Sequence, residues 1–294
     1  MEKDLFTLIN ERLPKLSKGH KLIANYILSH YDKAAFMTAQ KLGLTVGVSE
    51  STVVRFATEL GYDGYPSLQR ALQGLMRNKL TAVQRIEVMN DRLTRDDVLE
   101  RVLSLDIEKI RRTLEETSVE DFDRAVDMIT SADTIYIIAA RSTAPLANFL
   151  GYYFNLIFPK VKLVHSSTTS EMFEQIMHMD DKDVMIGISF PRYSRQTVKA
   201  LQFAQSKGAH VIALTDSISS PLAQYADTLL LAHSDMASFV DSLVAPLSLI
   251  NALIVAVSIN DISRVSENFE RLEQIWEEYD VYEKSDNNNQ PLKP

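Results

Sequence analysis

The chain has 294 residues, 46% of them hydrophobic and 24% charged, the balance of an ordinary globular protein long enough for two domains. It contains no cysteine, which excludes disulfides and thiolate metal sites and suits a reducing cytoplasm. The net charge of -8 is uneven: residues 1–79 carry 11 Lys and Arg against 7 Asp and Glu, and the remainder carries 20 against 32. A basic front end on an acidic body points to an anionic partner for the first segment alone.

Residues 1–77 read as an all-helical domain. Leu5, Leu8, Ile9 and Leu13 form one stripe, stopped by Pro14, and no uninterrupted apolar core marks a signal peptide. Ser17 is placed to cap a helix over Lys18–Ser29, with Leu22, Ile23, Tyr26 and Ile27 inward. Thr38 then caps a short helix with Ala39 and Leu42 inward, Gly47 permits a tight turn, and Ser49 caps the next helix. Along that helix Val53, Phe56, Ala57 and Leu60 follow the spacing of a buried side, and Gly61 ends it. Its opposite side offers Ser51, Thr52, Arg55 and Thr58. Small hydroxyls and one arginine beyond a glycine turn suit a DNA major groove, and Ser49, Ser51, Thr52 and Arg55 are the contact candidates. A plain αα-hairpin would share the pattern.

Residues 78–118 carry no strand signal and read as linking helices, with Asp96 and Asp97 near the start of a long one. Val98, Val102, Leu105, Ile110 and Leu114 give that helix an apolar side, the mark of a rigid coupler or dimer element. Over residues 119–260 helix and strand alternate. The candidate strands are Thr134–Ile138, Val161–Val164, Val184–Ile188, His210–Leu214 and Thr228–Leu231, which predicts a doubly wound parallel sheet. A helix over Thr197–Lys207, closed by Gly208, joins the third strand to the fourth. The loop before it holds Ser189, Arg192, Tyr193, Ser194 and Arg195, and the loop after the fourth strand holds Thr215, Ser217, Ser219 and Ser220. Ligands of open α/β sheets sit at the carboxyl ends of strands, and hydroxyls beside guanidinium groups suit a phosphate or another anion. The same hydroxyls would serve as ordinary caps.

The longest apolar stretch, residues 239–259, contains Asp241, Pro246 and Asn251, so a sheet-covering helix over Ser238–Ile259 is expected rather than a membrane span. Residues 261–284 read as a further helix with Phe269, Leu272, Ile275 and Trp276 on one side, Trp276 as core packing. The polar, Asn-rich residues 285–294 read as a disordered tail.

The stretch VGVSESTVVRFATELGYDGYPSLQRAL resembles the helix-turn-helix of the MurR/RpiR family of bacterial transcriptional regulators. Gly47, Val48, Ser49, Thr52, Val53, Arg55, Phe56, Leu60, Gly61, Tyr62 and Pro66 fall in register with that family's core. Gly43 departs from it, standing where a better helix former is usual. The following domain resembles the SIS (sugar isomerase) domain, a flavodoxin-like α/β fold that binds phosphosugars. Its first ligand loop corresponds to Ala139–Thr143, where Arg141 replaces a glycine of the usual Gly-x-Gly-x-Ser. Ser-Phe-Pro-Arg-Tyr-Ser stands where Ser-x-Ser-Gly-x-Thr is common, so Ser189 and Ser194 align with the first Ser and the Thr. The resemblance implies a pocket retained for a more negative ligand. Its candidates are Arg141, Ser142, Thr143, Ser189, Arg192, Ser194, Arg195, Thr215 and Ser219. It further implies a cytoplasmic homodimer or homotetramer that binds operator DNA and a phosphosugar or related anionic sugar, controls carbohydrate-metabolism genes, and needs no cofactor, metal or membrane.

The rival reading is a sugar-phosphate isomerase of the SIS class, which needs a Glu and His pair to move a proton. His165, Glu171 and Glu174 lie near the end of the second strand. Glutamates in a helix's first turns are favourable without catalysis, however, and an isomerase gives the first 77 residues no task.

Overall fold

Five short runs rich in Val, Ile and Leu form one parallel sheet: β1 Ile135–Ala139, β2 Val161–Val164, β3 Val184–Ile188, β4 His210–Thr215 and β5 Thr228–Leu231. Their order is β2-β1-β3-β4-β5, and β1 and β3 are buried along their whole length. The structure, a computed structural model, describes residues 5–76, 97–165, 168–234 and 240–282. They divide into two compact units, residues 1–103 with 236–241, and residues 104–235 with 242–294.

In the first unit α1 (Leu5–Arg12), α2 (Lys18–Ser29), α3 (Tyr31–Ala34), α4 (Ala39–Val46), α5 (Glu50–Glu59) and α6 (Gly64–Met76) surround one apolar core. Ile9, Ile23, Ile27, Leu42, Val53, Phe56, Leu68 and Leu72 are fully enclosed there. The expected caps form: Ser17, Thr38 and Ser49 accept hydrogen bonds from the backbone N–H groups of His20, Lys41 and Thr52. Gly47 takes φ 77°, the left-handed conformation that lets α4 turn sharply into α5. Gly43 has a reason of its own, because a Cβ there would lie 2.8 Å from the carbonyl oxygen of Val48. The missing side chain lets the turn fold back onto α4, which outweighs the lost helix propensity. Leu22, expected inward, is exposed; the buried arc of α2 is Ile23, Ala24 and Ile27.

α7 (Val98–Glu116) crosses the division between the units, and its outcome differs from its pattern. Val98, Leu105, Ile110 and Leu114 are exposed, while Lys109 and Thr113 on another face are buried. Thr113 Oγ1 accepts the His233 backbone N–H at 3.0 Å, His233 Nε2 lies 2.8 Å from Glu116, and Ser242 donates to Asp106 at 2.7 Å. Polar contacts therefore fasten this helix to the segment after β5. On its outer side Arg111 pairs with Glu108 and Glu115; the hydrogen bond and charge of Glu108, then the charge of Glu115, raise the Arg111 pKa.

α8 (Val119–Ser131), α9 (Ala144–Ile157) and α12 (Val244–Asn260) cover one face of the sheet; α10 (Thr169–Ile176) and α11 (Arg195–Ser206) cover the other. The two-residue repeat of the strands divides the cores: Ile135 and Ile137 face the first layer, Tyr136 and Ile138 the second. α12 begins at Val244, later than the expected Ser238, which lies outside the described residues. Pro246 is tolerated only in a first turn, so the helix starts just before it. α13 (Ile262–Glu278) buries no residue completely, because it lies on the outside of its unit. Trp276 is accordingly half-buried and meets Tyr282 edge-on at 5.4 Å rather than filling a core. Residues 77–96 of the expected linking helices and the tail 285–294 fall outside the described residues. No single helix among the described residues is long and apolar enough to cross a membrane.

Candidate functional site

In the first unit α5 holds the candidate DNA contacts. The Ser49 hydroxyl is committed to its cap and lies 2.9 Å from Ser51 Oγ and 2.8 Å from Thr52 Oγ1. Ser51 and Arg55 are exposed and Thr52 is half-buried, on the side opposite Val53, Phe56 and Ala57. Arg55 Nε donates to the Ser51 carbonyl at 3.3 Å, so the guanidinium lies along the helix surface.

In the second unit β1 and β3 pair in parallel with Ala139 opposite Ile188, which sets the loops after them side by side. The Thr143 hydroxyl bonds to Ala140 O at 2.9 Å and reaches Ile188 O at 3.3 Å. It is 5% exposed, so this group ties the two loops together instead of facing solvent. Ser142, next to it, is exposed. Ser189 is buried and its Oγ accepts the backbone N–H of Ser194 at 3.0 Å, drawing the six-residue loop into a closed turn. Ser194 in turn caps α11 by accepting from Thr197 N. Arg192 and Arg195 are exposed on this loop, and Tyr193 donates to Asp216 at 2.8 Å across to the loop after β4. Thr215 is fully buried, and Ser219 lies exposed in a hydroxyl pair with Ser217.

Two hydroxyls outside the candidate effector set stand out. Thr197 in the first turn of α11 and Ser220 after β4 are buried, and neither hydroxyl has a hydrogen-bond partner among the described residues. A helical threonine and a turn serine carry no periodic signal that would have singled them out.

Arg141 has an unusual backbone conformation. It takes φ 61°, so an arginine occupies the left-handed conformation that suits a glycine. It lines a cleft of about 310 Å³ on the β2 side of β1, with Asn148 and His165 among its other walls. Arg192 and Arg195 are not among the residues that line it. His165, the base an isomerase would require, is exposed; Gln175 bonds to its backbone, and no carboxylate meets its ring among the described residues.

A basic helix-turn-helix unit joined to a doubly wound sheet with polar strand-end loops defines a class of DNA-binding proteins with a small-molecule domain. Residues 3–79 match the helix-turn-helix domain of the rpiR family, and residues 128–256 match the SIS domain. The HTH-type transcriptional regulator HexR of Escherichia coli K12 is 26% identical over 277 residues, covering 92% of this chain and 93% of its own. The sugar isomerase domain of an RpiR transcription factor from Sphaerobacter thermophilus superposes with a TM-score of 0.57 at 29% identity, over 60% of this chain and 99% of that one. The Vibrio vulnificus NanR protein, solved in complex with ManNAc-6P, gives 0.54 at 18% identity over 94% of this chain and 98% of its own. The chain belongs to the RpiR family of helix-turn-helix transcriptional regulators that carry a SIS domain.

Proposed function

We propose that this regulator senses a phosphosugar, or a related anionic sugar, in the crevice between the loops after β1 and β3, and that it controls carbohydrate-metabolism genes. The observation that carries this reading is the closed Ser189–Ser194 turn. It seats the start of α11 just after β3, with two exposed arginines on the same segment, beside the loop that Thr143 holds against Ile188. Backbone N–H groups at a helix start and charged donors together suit a phosphate. That NanR was solved with a phosphosugar supports the same class of ligand. Operator DNA is read by Ser49, Ser51, Thr52 and Arg55 on α5. The relatives are named as regulators and His165 lacks a carboxylate partner among the described residues, which favours sensing over isomerisation.

The protein acts as a homodimer through α9 and α12. Neither helix contains a charged residue, yet both expose apolar surface: Tyr152 is 56%, Val255 51% and Ile259 68% accessible. A charge-free patch on a chain with 24% charged residues has the composition of a homodimer interface core.

A thermal-shift screen of the full-length protein against phosphorylated sugars and sugar acids, followed by operator gel shifts with each hit, tests the sensing reading. Arg192→Ala and Ser194→Ala should fold, dimerise and bind operator while losing roughly ten- to a hundredfold in effector affinity. Wild-type effector affinity in both variants would remove the crevice from consideration.

A further inference from the structure

We propose that the cleft between the end of α9 and α13 binds an amphipathic carboxylate, an acidic group carried on a short apolar chain, with Arg271 as its anchor. α9 leaves β1 at its carboxyl end and delivers the chain to the start of β2, so this cleft lies at the amino ends of the strands. The crevice between β1 and β3 lies at their carboxyl ends. The length of α9, about 20 Å for its 14 residues, separates the two levels.

Asn268 holds α13 against α9. Its Nδ2 donates to the carbonyls of Leu156 and Ile157, both at 3.2 Å, in the last turn of α9. Those carbonyls have no partner within their own helix, so the bonds satisfy them and fix the cleft wall together. Arg264, one turn earlier on α13, pairs with Asp261 at 3.1 Å and lies over the Phe158 ring at 5.4 Å. Arg271, one turn later, is exposed and makes no hydrogen bond or ion pair among the described residues. α13 carries five glutamates and two arginines, yet both arginines line the cleft and none of the glutamates does. The positive charge of an acidic helix is thus gathered on the side that faces the cleft.

The rest of the lining gives the ligand its chemistry. Leu156, Ile157, Phe158, Pro159, Leu272 and Ile275 supply apolar walls, and the Asn155 amide is occupied by the Gly151 carbonyl at 2.7 Å. The volume of about 480 Å³ falls within that of small-molecule sites, roughly 300–1,000 Å³. Apolar walls beside an unpaired guanidinium favour a ligand that buries hydrocarbon and presents two oxygens to one fork of N–H donors. A neutral chain leaves Arg271 without a partner, and an anion without hydrocarbon leaves the apolar walls in water. Tyr152, Val255 and Ile259, which carry the proposed dimer patch, are not in the lining, so ligand and interface use different side chains.

Equilibrium dialysis of the full-length protein against labelled octanoate, with 1-octanol and inorganic phosphate as competitors, tests the assignment. Wild type should take up one octanoate per chain saturably, and neither competitor at equal concentration should displace it. Arg271→Ala changes an exposed side chain, so it should keep the wild-type melting temperature while binding octanoate roughly ten- to a hundredfold more weakly. Arg192→Ala should bind octanoate like wild type. Uptake that does not saturate, displacement by either competitor, or an Arg271→Ala protein that binds like wild type overturns the proposal. Equal loss in Arg192→Ala would assign octanoate to the crevice and overturn it as well. Operator release by phosphosugars does not enter the measurement, so this proposal and the sensing reading fail separately.

Discussion

Arg55 is the residue on which the proposed operator recognition rests most directly. It is exposed on α5, opposite the enclosed Val53 and Phe56, and its present hydrogen bond to Ser51 O is one that DNA can replace. Arg55→Ala should cost about 1–3 kcal/mol in operator binding and relax selectivity at one base pair if the contact is bidentate to guanine. A gel-shift titration against the operator and its single-base variants reads both effects, and unchanged affinity and selectivity would exclude the contact. At this scale the sequence was legible where a residue's role is local. Ser17, Thr38, Ser49 and Ser194 were all placed at loop or helix starts by pattern, and each caps its helix. The left-handed backbone of Arg141 was not legible, because residue type does not encode it.

Among the elements, four of the five strands start at the expected residue, and β1 is shifted by one, because continuous β-branched runs between polar turns leave little choice of register. α7 was the least legible. Periodicity tells which side of a helix is apolar but not which side the rest of the chain covers, and here the covered side includes Lys109 and Thr113. Thr113→Val keeps the shape and removes the acceptor for the His233 N–H, so it should destabilise by about 1–3 kcal/mol. Thr113→Ser retains the hydroxyl and should stay near wild type. Equal melting temperatures for wild type and Thr113→Val would show that the bond to His233 contributes nothing.

For the molecule as a whole, the proposed homodimer would link dimerisation to DNA binding, since a two-fold protein binds two half-sites in inverted repeat. Val255→Asp places a charge on the uncharged exposed side of α12 and should shift the protein toward monomer in sedimentation velocity. Operator affinity should fall with it, while the melting temperature changes little because Val255 is 51% exposed. A Val255→Asp protein that sediments like wild type would move the interface elsewhere. The charge pattern that suggested a nucleic-acid partner was visible from composition alone, whereas the uncharged pair of helices became visible only when the fold set α9 beside α12.

The packing of Gly151 in α9 against Leu163 of β2 has an implication for inheritance. A Cβ at position 151 would lie 2.7 Å from Leu163 Cδ2 and 2.9 Å from its Cγ, so any larger residue must displace that leucine. Leu163 is a wall of the Arg141 cleft, and Gly151 is not. Descendants of this gene can therefore reshape the cavity by mutating a codon whose product is not part of its wall, leaving Arg141, Asn148 and His165 intact. Related regulators with the same three polar side chains but different residues at position 151 are expected to differ in the volume of that cleft.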